Sequence, residues 1–245
     1  MFTDSQALAA NPSMLVCDTD ALSQVLVAGD FSVIRDLKKT YHTQPVLVEA
    51  VEYELRSPQS LSLRRLVPKY EAALEKALGN GTLQVLDERS LPYYLGPAAH
   101  AVWNEISIRA TKWARRVQRG EAYSHAVAST LSVPVLTHDI TAIRILEKDG
   151  EALSQPLLRV FDLYALGFQT GCMSEAACDG CRQKLLQEGQ FLPKAFQHHG
   201  FKDGLGMFYP RIQVEQMPPV GHAEPIDQHD FRLLLQSPQP VSPPD

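Results

Sequence analysis

The chain has 245 residues, 44% of them hydrophobic, and a formal net charge of −5. That length holds one sizeable α/β domain, or one domain with an extension, and the composition excludes global disorder. The apolar runs are far too short for a membrane span.

Strand and helix patterns alternate along the chain, as they do in parallel βαβ units. Met14-Leu15-Val16-Cys17 predicts a first strand at 14–17. Helical periodicity follows over 21–39, with a break at Gly29-Asp30. A second strand is expected at 45–48, then a helix carrying Val51, Glu54 and Leu55. Another helix is predicted over 67–78, stopped by Gly79-Asn80-Gly81, and a strand over 82–86. A long helix is predicted over 98–119; Gly120 interrupts it, and the helical pattern resumes over 121–131. Residues 133–137 read as a strand, 143–148 as a short helix and 157–161 as a last strand. Helical patterns return over 174–188 and end at Gly189. Met217-Pro218-Pro219 and Ser237-Pro238-Gln239-Pro240 mark a proline-rich stretch without apolar periodicity, so 215–245 is expected to be a flexible or peripheral tail. The domain reading is therefore 1–165 for an α/β domain with a helical insert at about 61–118, 166–214 for a C-terminal helical extension, and 215–245 for the tail.

Four acids stand where such a fold concentrates function. Asp18 ends the first apolar run, Glu54 lies just past the second, Glu121 opens a helical segment after Gly120, and Asp139 follows the run Val133 to His138. The carboxyl ends of parallel strands converge on one crevice, so acids at these places gather there. Carboxylates held close together repel one another unless they bind a cation or a proton, and a hard divalent metal is the usual reason to build the cluster. Mg²⁺ or Mn²⁺ is the expected cofactor. Asp18 and Asp139 are expected as direct ligands, Glu54 and Glu121 as ligands directly or through water, and Asp20 as a fifth candidate.

Three segments carry a resemblance. LVCDTDAL at 15–22 resembles the opening strand of PIN domains, where an aspartate ends the strand and a helix follows. PVLVEAVEYELR at 45–56 is similar to the PIN second strand and its helix, and GEAYSHAVASTLSVPVLTHDITAIRIL at 120–146 looks like the segment in which Gly-Glu opens a helix and Thr-x-Asp ends the next strand. The likeness runs from about residue 15 to 161. It implies a three-layer α/β/α fold with a central, mainly parallel sheet. It also implies a metal-dependent nuclease of the hydrolase class, most often an endoribonuclease, with Asp18, Glu54, Glu121 and Asp139 as catalytic and metal-binding acids and a polar role for Thr137. Many bacterial members are toxins held by antitoxins, so an antitoxin or another protein partner belongs to the expectation, and a homo-oligomer stays open. Asp20 and His138 stand where the family more often has Asn or Ser and Asn or Asp, and the insert and the C-terminal extension exceed what a compact toxin carries.

Arg109, Lys112, Arg116 and Arg119 recur at helical spacing, with Arg115 beside them and Trp103 and Trp113 on the same predicted helix. Such a stripe binds a phosphate backbone, and an aromatic can stack an unpaired base; the alternative is a solvated face with the tryptophans in the core. His125, four residues after Glu121, shares its helix face and either reaches the site or is an ordinary histidine. Cys172, Cys178 and Cys181 with His198-His199 admit a zinc site, but Cys178, Cys181 and Leu185 also recur at helical spacing, which favours core thiols. Four cysteines do not make a disulfide framework, and reduced thiols are expected. The start of the chain lacks the basic and apolar stretches of a signal peptide, so the expected location is cytoplasmic, with no membrane partner. Two further readings stay beside the nuclease: a PIN-like scaffold that binds RNA or protein without cutting, and a phosphomonoester hydrolase, for which Asp18-Thr19-Asp20 matches only the start of the D-x-D-x-T motif.

Overall fold

A computed structural model describes residues 14–40, 42–148 and 157–208, and the proline-rich stretch lies outside them. The described residues form a parallel five-stranded sheet in the order β3-β2-β1-β4-β5, flanked by helices and compatible with three α/β/α layers. In chain order the strands are β1 (Met14–Cys17), β2 (Gln44–Val48), β3 (Gln84–Leu86), β4 (Val135–Leu136) and β5 (Leu157–Leu158). β1 is central and all four of its residues are buried, the pattern of a parallel strand covered on both faces. Its neighbours run parallel in register, with Val16 opposite Val46 on one side and Val135 on the other. The strand order reverses between β1 and β4, and in open α/β sheets this switch point places the crevice at the carboxyl ends of the two strands.

The helices are α1 (Thr19–Ala28), α2 (Ser32–Thr40), α3 (Glu49–Arg56), α4 (Leu61–Gly79), α5 (Pro92–Leu95), α6 (Ala99–Trp113), α7 (Arg119–Leu131), α8 (Ile140–Lys148), α9 (Val160–Gln169), α10 (Glu175–Gln187), α11 (Lys194–His198) and α12 (Phe201–Phe208). α7 lies against β1, β2 and β4 and is covered by α6, while α1 packs against α3, α4, α9 and α10. Among the described residues no helix is long and apolar enough to cross a membrane.

Of the boundaries that differ from the expectation, four do so for a local reason. α4 starts at Leu61 rather than 67, because the Ser60 hydroxyl caps it by accepting the Leu63 N–H at 3.2 Å. Pro68 then falls inside α4, on its exposed side, while Leu63, Leu66, Tyr70, Leu74 and Ala77 line the buried side. The predicted helix over 98–119 ends at Trp113, and a turn separates it from α7. Gln118 closes that turn: its N–H is accepted by Glu121 Oε2 at 3.1 Å, so the Gln-x-x-Glu spacing starts α7 before Gly120 rather than after it. Residues 160–161 belong to α9 instead of the last strand, since the Arg159 N–H is accepted by Asp162 Oδ2 at 2.6 Å and begins a helix there. α11 and α12, which the sequence did not predict, are short and lean on a cluster in which Phe161 and Phe196 stack at 4.2 Å and Phe201 lies 5.8 Å from Phe196.

Tyr70 ties α4 to the site helix α3: its hydroxyl donates to the Leu55 carbonyl at 2.7 Å, and the ring is fully buried. Tyr70→Phe is expected to lower stability by about 1–2 kcal/mol, because a buried carbonyl loses its partner while the packing stays. Urea unfolding with an unchanged m-value checks this.

Candidate functional site

Asp18 is the first residue past β1 and the last before α1, and it is 1% exposed. Its N–H donates to the Leu136 carbonyl at 2.9 Å, which locks it to the end of β4. The Thr137 hydroxyl donates to Asp18 Oδ2 at 3.1 Å, and the Asp139 N–H reaches Thr137 Oγ1 at 3.4 Å. Thr137, itself 1% exposed, thus links the two aspartates expected as ligands. Asp18 Oδ1 is buried without a hydrogen-bond partner. A buried acceptor left open is costly, and a bound cation is one way to satisfy it.

The other acids converge on the same place. Burial pushes the Asp18 carboxyl up to about 7 against the lowering pull of the Thr19 N–H and the Thr137 hydroxyl, with the Asp20 and Glu54 charges adding to the push. Glu121, 6% exposed, is pushed up to about 9 by burial, by Asp18 and by its hydrogen bond to Asp139. At neutral pH the Glu121 carboxyl therefore holds a proton beside the Asp139 carboxyl. Asp139 Oδ1 accepts the Ala142 N–H at 2.8 Å and so caps α8. Asp20 opens to solvent, yet its carboxyl is also raised, by the protein around it and by the Asp139 and Glu54 charges. Among the described residues no Lys or Arg forms an ion pair with any of these acids.

Glu54 is held by groups of the protein on both of its oxygens. The Thr19 hydroxyl donates to Oε2 at 2.5 Å, and the Gly120 N–H donates to Oε1 at 2.9 Å. Sequence reasoning missed Thr19 and took Gly120 for a helix break. The Gln118-x-x-Glu121 spacing was the signal that placed Gly120 inside α7.

His125 is fully buried, neither ring nitrogen has a partner, and burial lowers it to about 4 against the pull of the Asp139 charge. It is a neutral imidazole on the buried side of α7, not an exposed phosphate contact. His138 is also neutral at pH 7, lowered to about 4 by burial and by Arg159, with Nε2 2.9 Å from Gln24 Oε1.

The predicted basic stripe does not run along one helix. Arg109 pairs with Glu105 at 2.8 Å on α6, exposed Lys112 sits in the last turn of α6, exposed Arg116 lies in the turn, and Arg119 begins α7. Trp113 is 1% exposed and Trp103 half-buried, which makes Trp113 a core residue. Arg119 stays within two residues of Glu121, its guanidinium 5.6 Å from the Tyr123 ring centre.

Cys178 and Cys181 are buried, and Cys172 half-buried. Cys178 Sγ donates to the Tyr164 carbonyl at 3.7 Å, and burial pushes Cys181 up to about 11, so these thiols behave as core side chains. His198 and His199 are exposed. Among the described residues no three His, Cys, Asp or Glu side chains are grouped to hold a metal ion, at the thiols or at the acids. A cation in this crevice would meet the carboxylates of Asp18, which accepts the Thr137 hydroxyl, and of Asp139, whose backbone N–H reaches the same hydroxyl, with Glu121 and Asp20 around them. That donor set suits Mg²⁺, which keeps several waters and takes one or two carboxylates directly.

No family model matches the chain, and neither does any curated protein or solved structure.

Proposed function

We propose that the chain is a Mg²⁺- or Mn²⁺-dependent nuclease of PIN-like design that hydrolyses phosphodiester bonds, RNA before DNA. The observation that carries the proposal is Asp18 at the switch point of the sheet. Its Oδ1 is buried and unpartnered, and its neighbours are acids that no described Lys or Arg pairs with. The parallel sheet flanked by helices and the three segment likenesses support the PIN-like reading, and the preference for RNA rests on the resemblance alone.

Asp18 and Asp139 would hold the ion, and the Thr137 hydroxyl, donating to Oδ2, restrains the Asp18 carboxyl. A bound ion supplies an activated water and stabilises charge on the phosphate and leaving oxygens. Glu121 keeps a proton beside Asp139, which limits the repulsion among the acids when no cation is present. Arg119, exposed at the start of α7, supplies a positive charge at the rim where a phosphate backbone would lie.

A second reading, a PIN-like module that binds RNA or a protein without cutting it, draws on the lack of three grouped metal ligands among the described residues. One experiment separates the readings. Wild-type protein with Mn²⁺ is expected to cleave a labelled single-stranded RNA, and Asp139→Asn to lower the rate by about a hundredfold or more, the several kcal/mol that a metal centre supplies. RNA bound but uncut by the wild type favours the module, and turnover of a phosphomonoester but not of RNA favours a phosphatase.

A further inference from the structure

We infer that Glu54 is a positioning residue rather than a cation ligand: with Thr19 and Gly120 it forms a bracket that sets the first turns of α1 and α7 around the acidic crevice. Both turns carry site acids, Asp18 and Asp20 beside Thr19, and Glu121 beside Gly120. Glu54 reaches across from α3, accepting the Thr19 hydroxyl on one oxygen and the Gly120 N–H on the other. The Gly120 N–H is one of the donors that an α-helix leaves open at its start, and a carboxylate there also meets the positive end of the helix dipole. Glu54 thus caps α7 from a different helix, and the α7 turn cannot shift without breaking that contact.

Gly120 records how close the approach is. A Cβ built on it would lie 2.4 Å from Glu54 Oε2, 2.9 Å from Cδ and 3.0 Å from Oε1. All three nearest atoms belong to this one carboxyl group. The position is helical and does not have a positive φ, so glycine's conformational freedom is not what it uses. A helical glycine costs about 1 kcal/mol relative to alanine, and here the missing side chain makes room for the Glu54 carboxylate.

The bracket is independent of the proposed nuclease; only the statement that Glu54 is not a ligand rests on that reading. Two measurements test the two parts. The first is a melting cycle without divalent ions on wild type, Gly120→Ala, Glu54→Ala and the double variant. Gly120→Ala is expected to lower Tm by several degrees. In the Glu54→Ala background it should cost less than half as much, because the methyl then enters the space the carboxyl leaves. Additive losses overturn the bracket. If Glu54→Ala does not fold, Glu54→Asp, one methylene shorter, takes its place in the cycle.

The second is Mn²⁺ binding followed by thermal shift. Glutamine keeps an oxygen for the Gly120 N–H, and the Thr19 hydroxyl can rotate to accept from its amide. Glu54→Gln is expected to hold the Mn²⁺ midpoint within about threefold of wild type, while Glu54→Ala, which releases the α7 turn, weakens it about tenfold. A ligand would lose as much in Glu54→Gln as in Glu54→Ala, and that result overturns the assignment. An unchanged midpoint in Glu54→Ala overturns it as well, leaving Glu54 with no effect on the crevice. If wild type shows no Mn²⁺ response at all, the cation reading fails, and the melting cycle alone still decides the bracket.

Discussion

Asp18→Asn is expected to give a folded protein that is more heat-stable at pH 8 than wild type without metal, yet no longer stabilised by Mn²⁺ and without nuclease activity. The two effects share one cause. Asp18 is 1% exposed, and burial pushes its carboxyl up to about 7, so at pH 8 the folded protein buries an ionised group that prefers water. Asparagine has nearly the same shape, keeps an oxygen to accept the Thr137 hydroxyl, and carries no charge. Each tenfold rise in proton affinity on folding is worth about 1.4 kcal/mol, and after the amide's own unmet hydrogen bonds a gain on the order of 2 kcal/mol is expected, or about 4–8 °C in Tm for a chain of this size. The oxygen lost is the one that would face the cation, so the Mn²⁺ shift should vanish and RNA cleavage fall by about a hundredfold or more. Melting curves with and without millimolar Mn²⁺ read both halves. A variant less stable than wild type contradicts the buried charge, and a retained Mn²⁺ shift removes Asp18 from the site.

Without divalent ions, wild-type Tm is expected to fall between pH 6.5 and 8.5. The folded protein holds a proton on Glu121 up to about pH 9 and on Asp18 up to about pH 7, whereas the unfolded chain releases both near the ordinary values of 4.5 and 3.8. Between those limits the folded state binds more protons, so stability declines as pH rises. The contribution is fully present below the unfolded values and is gone above the folded ones. The buried histidines act the other way. His125 and His138 are lowered to about 4, so the unfolded chain takes up protons below pH 6.5 and stability falls as pH drops from there. Above pH 6.5 the histidine contribution fades and the carboxyls dominate the slope. Roughly 2–3 kcal/mol should be lost across it, or about 5–10 °C, and Glu121→Gln should remove most of the slope. Saturating Mn²⁺ should flatten it too, because a cation replaces the proton in screening the acids from one another. A Tm that does not change over this range would place the acids in contact with water.

Much of the crevice could be read before folding because strand ends announce themselves. Met14 to Cys17 is an apolar run that stops at an acid, and the structure puts Asp18 at the end of a buried central strand. Val46-Leu47-Val48 did the same for β2, and α7 carries Glu121 in its first turn as expected. Less could be read where the deciding partner lies far along the chain. The basic residues from Arg109 to Arg119 fit one helical period, but the turn after Trp113 splits them between two helices and Arg109 turns to Glu105. The period described an unbroken helix, and the Gln118–Glu121 cap ends it. Cys178, Cys181 and Leu185 show the reverse case, since the helical spacing that favoured a core position over a metal site agrees with their burial.

The sequence by itself determined the alternation of strand and helix, the buried parallel strands and the acids at their ends, because hydrophobic periodicity and local caps act over a few residues. The tertiary structure decided which oxygen each acid leaves open. Asp18 keeps a buried, unpartnered oxygen, Glu121 is driven to hold a proton by neighbours contributed by other elements, and both oxygens of Glu54 are engaged by Thr19 and by Gly120, 66 residues away. Desolvation and Coulomb repulsion depend on which side chains meet in space, and only the folded sheet with its helices brings these together.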